Sequence, residues 1–489
     1  MNTTILTALL SSSLLTSLGC QANAVNSPEI KKDADLKPIV LDGDCSEWPQ
    51  PNSGLADERY IYLNFSPKSG EANTIQAAPF TTRLRIDVDQ SPQTGRPMQW
   101  MSLEASMQQP QGVDLLIELS PKNELGTVGI GSAVTRYNDP EQGISIGHAN
   151  IGFMFLPTYS STQYEARIDR LAPGSEILPK SGPIEIVIDQ VDADNRFLWS
   201  TTIRVVLPEL GELSKSRADI PINPPKSARV MSSNVLFSSP LENPQAFSRV
   251  LDAINPDVIL YQEWFNTPSD QVQSWLNTHA GTGWQVHMPS PQAGVAIATR
   301  ERIITTYESV IPPSNTGRPA RGVAALIDTD AGELLAISVH LKCCGSAGSE
   351  EDTKRIEQAK SINAFVRSVH KKHPNAKVVI AGDFNLVGSY EPMSAMIDSL
   401  GIDGRDLSTI NAQQIGDASM VTWNDEKSRF SPGRLDWMLI DESMSQAANS
   451  FILDTRSLSN ESLEAVGLYA DDSKASDHLP IVIDLIDAE

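Results

Sequence analysis

The rhythm of apolar and polar positions changes along this chain. Between residues 39 and 207, short apolar runs alternate with turn-forming residues. Residues 81–88 follow the two-residue period of a half-buried strand and break at Asp89-Gln90-Ser91-Pro92-Gln93-Thr94-Gly95. Residues 113–119, 184–188 and 202–206 read as further strands, and no segment carries a helical stripe, so this part is expected to be an all-β sandwich. Residues 208–227 contain Pro221 and the pair Pro224-Pro225. Missing amide hydrogens there forbid a regular ladder, and the stretch reads as a linker.

Beyond the linker the pattern becomes mixed. Residues 229–237 predict a strand, and Asn243-Pro244 opens a helix with Phe247, Val250, Leu251 and Ile254 on one face. Strands are expected over 258–262, 293–299 and 377–381, with a hairpin of 323–328 and 334–341 around Asp330-Ala331-Gly332. A long helix is expected over 350–370. Strands alternating with helices on this scale imply a layered α/β domain.

The start of the chain reads differently again. Residues 5–18 form an apolar run too short for a membrane span and suited to a signal h-region. It ends in Thr16-Ser17-Leu18-Gly19-Cys20, which resembles a bacterial lipoprotein cleavage site with Cys20 as the lipidated terminus. The expected organisation is a signal peptide (1–20), a tether (21–35), the β-sandwich (36–207), the linker (208–227) and the α/β domain (228–489). The implied location is the periplasm or cell surface, as an outer-membrane lipoprotein of a bacterium. Contact with the membrane would be through a lipid anchor alone.

Composition narrows the function. The 489 residues are 40% hydrophobic and 20% charged, as in ordinary globular proteins. The formal net charge of -23 disfavours generic binding to nucleic acid or anionic membranes through a basic surface. It leaves room for an enzyme that cuts phosphodiesters, because a bound cation inverts the local field. Cys45 stands alone and Cys343 and Cys344 are adjacent, which is neither a disulfide framework nor a zinc pattern. The adjacent pair reads either as a vicinal disulfide or as two small buried residues.

Five strand ends in the α/β part carry polar residues where a core would not want them: Asn234, Glu263, His340, Gly382-Asp383-Phe384-Asn385 and Ser476-Asp477-His478. Any one of these has an ordinary explanation as a solvated loop residue or a satisfied hydrogen-bonder. Five in one fold point to a shared cleft. Their sequence context resembles the endonuclease/exonuclease/phosphatase (deoxyribonuclease I-like) superfamily. The matching stretches are Met231-Ser232-Ser233-Asn234, Tyr261-Gln262-Glu263-Trp264, Ser338-Val339-His340-Leu341, Ala381-Gly382-Asp383-Phe384-Asn385, Thr422-Trp423 with Arg434-Leu435-Asp436-Trp437, and Ser476-Asp477-His478-Leu479-Pro480. They occur in the family's order across residues 228–487.

The resemblance implies a four-layered αββα sandwich and hydrolysis of phosphoesters by metal-activated water. Glu263 would be the main metal ligand, with Asn234 and Asp477 nearby. Hard carboxylate and amide oxygens suit Mg²⁺ or Mn²⁺. Asp383 and Asn385 would orient water and phosphate. His478, held by Asp436, would act as base or as charged phosphate contact, and His340 would stabilise the transition state or protonate the leaving oxygen. Asp436 could instead pair with Arg434, and Trp423 reads as scaffold. Arg318, Arg321, Lys342 and Arg355 are candidate phosphate contacts, since cations match phosphate charge.

In the first part, Asp42-Gly43-Asp44-Cys45-Ser46-Glu47-Trp48 resembles the opening of family-9-type carbohydrate-binding modules and DOMON-like sandwiches. Asp87, Asp89 and Asp114 could hold Ca²⁺ or simply cap Asx-turns. The leading functional expectation is an exported phosphodiesterase or nuclease whose partner is nucleic acid or a small phosphodiester, with a glycan as a further partner. The alternatives are a phosphomonoesterase acting on inositol or sugar phosphates, and a surface glycan-binding protein with a vestigial hydrolase domain.

Overall fold

The structure is a computed structural model. It describes residues 39–488 except 68–71, 92, 98–111, 124–125, 211–214, 216, 309 and 313–318. The leader and Cys20 lie outside the described residues, as does Arg318. The protein is mostly β, with four sheets and few helices.

Strands β1 (Ser53–Ala56), β2 (Tyr60–Phe65), β3 (Thr81–Asp87), β4 (Leu115–Leu119), β5 (Ser132–Tyr137), β6 (Gly143–Ile146), β7 (Met154–Leu156), β8 (Tyr164–Asp169), β9 (Gly182–Val191) and β10 (Phe197–Leu207) build two antiparallel sheets. Their orders are β1-β2-β8-β7 and β10-β9-β3-β4-β5-β6. Both sheets feed one apolar cluster: Ile61, Leu63, Ala166 and Ile168 come from the first, and Leu84, Ile86, Ile117, Ile186 and Val205 from the second. No α-helix occurs among the described residues of this part, in agreement with the alternating pattern.

The remaining strands are β11 (Ala228–Asn234), β12 (Val258–Gln262), β13 (Gln285–His287), β14 (Ala296–Thr299), β15 (Arg302–Tyr307), β16 (Gly322–Thr329), β17 (Gly332–His340), β18 (Lys377–Asp383), β19 (Ser408–Thr409), β20 (Asp436–Ile440), β21 (Ser445–Ile452) and β22 (Ile481–Asp487). They form two six-stranded sheets, β13-β14-β12-β11-β22-β21 and β15-β16-β17-β18-β20-β19. Helices α1 (Pro244–Ile254), α2 (Ser269–His279), α3 (Glu350–His370), α4 (Glu391–Ile397) and α5 (Asn460–Val466) complete the set.

Near-continuous apolar strands are what a sheet covered on both faces requires. Val258 and Leu260 of β12 enter the cluster between the sheets, while Ile259 and Tyr261 face the cluster that holds Leu251 of α1 and Val272, Trp275 and Leu276 of α2. On β18, Val379 and Ala381 point between the sheets. Val378 and Ile380 join Ile362, Val366 and Val369 of α3 on the other side. The period-2 alternation of strand side chains thereby stacks helix, sheet, sheet and helix.

Two departures from the sequence reading stand out. The strand expected to reach residue 237 stops at Asn234, and Leu236, Phe237 and Ser238 all take positive φ (46°, 50° and 63°). Such values are rare for bulky residues. Helix α2 was not expected, because only three apolar positions mark its buried face. Residues 208–227 hold no strand or helix among the described residues, and residues 39–489 form one compact unit. Leu41 N–H donates to Ala418 O, and Met420 N–H to Leu41 O (3.0 and 2.9 Å).

A buried ion pair joins the same faces. Arg167 on β8 donates through both terminal nitrogens to Asp417 at 2.9 and 2.8 Å and lies 4.0 Å from the Tyr60 ring. Removing one member of such a pair strands the other charge in a low-dielectric environment. Arg167→Met is expected to lower stability by about 3–5 kcal/mol in guanidinium unfolding. Arg167→Met combined with Asp417→Leu is expected to recover most of that loss.

Candidate active site

The cleft is built by register. In the parallel pairing of β17 with β18, His340 stands opposite Asp383, and in the antiparallel pairing of β18 with β20, Asp383 stands opposite Asp436. Residues directly opposite in neighbouring strands point to one face, so these three side chains line up at one sheet edge. The facing sheet brings Asn234 opposite Gln262 at the ends of β11 and β12, with Glu263 next in the chain. Gly382 permits the close approach of β17 and β18 just before Asp383: at φ +146° a Cβ there would collide with Val339 O.

The side chains meet. Nδ2 of Asn234 donates to Oε1 of Glu263 at 3.3 Å and lies 3.5 Å from Oδ2 of Asp383. Nε2 of His340 is 3.5 Å from Oδ2 of Asp383 and 3.9 Å from Oε1 of Glu263. Nδ1 of His478 and Oδ2 of Asp436 are 2.7 Å apart, and Nε2 of His478 lies 3.9 Å from Asp383. Asn385 donates its backbone N–H to Oδ1 of Asp383 at 2.9 Å and its amide to Leu341 O at 3.3 Å. The expected orienting pair of Asp436 and His478 is thus formed. Arg434 does not pair with Asp436; it donates to Ile410 O and stacks 3.6 Å from the centre of the Trp437 ring.

Asp477 is positioned by a residue that reads as scaffold. Nε1 of Trp423 donates to Oδ2 of Asp477 at 2.9 Å, while Oδ1 is buried without a partner. The tighter acidic–imidazole set is Glu263, His340 and Asp383, whose candidate ligand atoms all lie within 4.8 Å of one another. With Asn234 bridging the two carboxylates, this donor set fits a divalent cation. A buried carboxylate pair is otherwise costly, and hard oxygens suit Mg²⁺ or Mn²⁺.

Environment separates the two histidines. Burial lowers the pKa of His340 well below the usual imidazole value, and the charges of Arg321 and His478 add to the effect. Burial also acts to lower His478, but Asp436 at hydrogen-bond distance prevails, helped by Asp383 and Asp477, and raises it to about 10. Asp383 is pushed up by burial, with Asp436 and Glu263 adding to that and His478 and the Asn385 amide opposing it. The surroundings therefore push the two imidazoles in opposite directions.

The proposed phosphate grips fare unequally. Arg321 lies at the cleft, its guanidinium carbon 4.9 Å from the centre of the Phe265 ring. Lys342 turns away and donates to Cys343 O at 2.9 Å. Arg355 is fully buried, bonded to Asp352 and to the carbonyls of Lys342 and Cys344, so it braces a loop and does not face substrate. Helical spacing in sequence could not reveal that burial. The Cys343 and Cys344 sulfurs are 2.8 Å apart as free thiols, one half-buried and one exposed.

Far from the cleft, Asp87, Asp89 and Asp114 are brought together, with candidate ligand atoms within 4.8 Å. All three already accept backbone N–H groups: Asp87 from Gln90 and Asp89 from Ser91 within local turns, and Asp114 from Val88 of a distant segment. Burial, with the neighbouring Asp89 and Asp87 charges, raises Asp114 to about 6.

Residues 231–478, a stretch that takes in every cleft residue named above, match the model of the Endonuclease/Exonuclease/phosphatase family. Similar solved structures include the human Nocturnin catalytic domain with bound sulfate anion (16% identity, 54% of this chain and 96% of that one, TM-score 0.37). A Bacteroides thetaiotaomicron endonuclease/exonuclease/phosphatase family protein is similar at 17% identity, over 53% of this chain and 97% of that one, with TM-score 0.37. D. rerio TDP2 complexed with single strand DNA product is similar at 18% identity, over 53% of this chain and 98% of that one, with TM-score 0.36. No curated protein matches in sequence. The family match covers just over half of the 489 residues, and the chain belongs to the endonuclease/exonuclease/phosphatase family.

Proposed function

We propose that the protein is a divalent-metal-dependent phosphodiesterase that uses water as nucleophile. The observation that carries this reading is the meeting of Asn234, Glu263, His340, Asp383, Asp436 and His478 at the ends of strands from two facing sheets. Glu263, Asp383 and His340 would hold Mg²⁺ or Mn²⁺, with Asn234 beside them. Such a cation neutralises phosphoryl charge and eases departure of the leaving oxygen.

The chain's own groups supply the rest. Asp436 fixes the ring of His478 and keeps it charged, so Nε2 presents a cationic donor to a phosphoryl oxygen. Asp383 sits between both imidazoles, 3.5 Å from Nε2 of His340 and 3.9 Å from Nε2 of His478, which suits it to orient a water beside the cation. Neutral His340 avoids a second positive charge within the cluster and offers one ring nitrogen to substrate or metal. Asn385 keeps Asp383 in place through its backbone N–H.

Export with lipidation at Cys20, a Ca²⁺ role for Asp87, Asp89 and Asp114, and sugar recognition by the β-sandwich belong to the same proposal; the lipoprotein-like leader and the clustered aspartates support the first two.

Hydrolysis of single-stranded DNA, RNA, bis(p-nitrophenyl) phosphate, p-nitrophenyl phosphate, sphingomyelin and an inositol phosphate should show turnover of a diester in Mg²⁺ or Mn²⁺, abolished by EDTA. Glu263→Ala and His478→Ala should each remove that turnover. Turnover of the whole panel unchanged by both substitutions overturns the assignment, and preference for the monoesters selects a phosphatase instead. Asp436→Asn is expected to keep the fold while releasing the His478 ring, lowering kcat by roughly 10²–10⁴-fold with little change in thermal stability.

A further inference from the structure

Next to the cleft, the chain does something costly. Leu236, Phe237 and Ser238 hold three successive positive φ angles, a conformation bulky residues avoid. Each amide is tied to the site. Leu236 N–H donates to Oδ1 of Asn234 at 3.1 Å, Phe237 N–H to Oε2 of Glu263 at 3.1 Å, and Ser238 N–H to Glu263 O at 2.9 Å. The turn therefore grips the back of Glu263 and throws the Phe237 ring outward, where it is 73% exposed. A large apolar ring left in water at the mouth of a polar cleft gains nothing for folding.

The ring is not isolated. Its centre is 5.7 Å from that of Phe265, and the Phe265 ring is 6.2 Å from His340, so aromatic faces run from the catalytic cluster to the surface. Gly294, at φ +67°, makes room for Phe265: a Cβ there would sit 2.6 Å from the ring. Arg321 lies over Phe265 and makes no ion pair among the described residues. Its backbone carbonyl accepts the His340 N–H at 2.9 Å, which places it beside the reacting centre.

We propose that Phe237, Phe265 and Arg321 form a stacking platform for a nucleobase attached to the scissile phosphodiester. This rests on the phosphodiesterase reading and names its substrate class. Three features favour a nucleic-acid strand. Exposed aromatic rings accept any base through its π-face, and base stacking on such rings is a common source of affinity for single strands. An arginine at a ring face adds stacking area of its own and attracts the neighbouring phosphate. The same arginine repels a quaternary ammonium, which disfavours a choline headgroup on this surface. In a chain of net charge -23, a local cation is also needed for a polyanion to approach. The platform accepts an unpaired base, so single-stranded ends suit it better than duplex.

The test compares a single-stranded deoxyoligonucleotide with one of equal length whose residues are abasic, in Mg²⁺ and Mn²⁺. The full chain should prefer the base-bearing strand in kcat/KM. Phe237→Ala should cut that preference on the order of tenfold, mainly through KM, and Phe237→Tyr should restore it. Arg321→Gln should raise KM for the base-bearing strand. Because Phe237 is exposed, thermal unfolding of its variants should match the parent.

Equal turnover of the two strands by the parent overturns the platform and leaves the phosphodiesterase reading standing, as does an equal loss on both strands in Phe237→Ala. A Phe237→Ala loss confined to sphingomyelin vesicles overturns it in favour of a lipid-facing surface. Should the parent hydrolyse no phosphoester, the phosphodiesterase reading falls, and fluorescence quenching of a 2-aminopurine oligonucleotide decides the platform. Binding weakened by Phe237→Ala supports it, and binding unaffected by that change overturns it.

Discussion

The cleft depends on the cost of keeping ionisable groups out of water. Asp383, Asp436, His340 and His478 are all nearly inaccessible. Burial by itself disfavours the charged form of an ionisable group. Asp436 and His478 stand 2.7 Å apart, where opposite charges compensate each other. Asp383 has no equally close cation: the nearest imidazole nitrogens are 3.5 and 3.9 Å away, and Glu263 stands behind His340. An array with one matched pair and further unmatched carboxyl groups is unstable as a set of ions without additional positive charge. This imbalance is the physical reason the cleft suits a divalent cation and an anionic substrate, each supplying what the other side lacks.

The fold exists to hold that imbalance in place. Side-chain alternation along β11, β12, β17 and β18 commits each strand to a dry sheet–sheet interior and a helix-covered face. A one-residue slip would exchange those faces, so register is strongly specified. The polar residues occur where the apolar alternation runs out, and the same register carries His340, Asp383 and Asp436 to one edge. Within the interior, the few polar side chains are used locally: Gln262 donates to the Ser338 hydroxyl, which itself donates to Tyr261 O. Buried hydrogen bonds of this kind reinforce the alignment of the facing sheets near the cleft.

Much of this is legible in the sequence, because the polar residues of the cleft break the pattern that builds the core. Asn234, Glu263, His340, Asp383 and His478 stand out as polar ends of apolar strands, and the Asp436–His478 contact follows from the family resemblance. What stays hidden depends on three-dimensional burial or on backbone conformations that no side-chain pattern announces. Arg355 looks like a surface cation at helical spacing, yet its guanidinium closes the loop carrying Cys343 and Cys344. Phe237 looks like the last residue of a strand, because Val235, Leu236 and Phe237 prolong the apolar run; only its positive φ shows that the chain has already turned. Trp423 reads as scaffold, and the structure adds that what it supports is Asp477.

The sandwich at the start of the chain bears on the site through its edges. Thr158, just beyond β7, places its hydroxyl 2.8 Å from Leu386 O and 3.1 Å from Arg434 O, and Ser160 N–H donates to Gly388 O. Leu386 follows Asn385 directly, and Arg434 lies two residues before Asp436. One hydroxyl proton shared between two carbonyls therefore ties together the segments that carry Asn385 and Asp436. The Arg167–Asp417 pair and the pairing of Leu41 with Ser419 anchor the same sandwich to the strand-poor segment that leads to Trp423. These contacts come from different strands and loops, so no single flexible connection accounts for the union. The packing of the sandwich limits the freedom of the backbone from which the cleft is built.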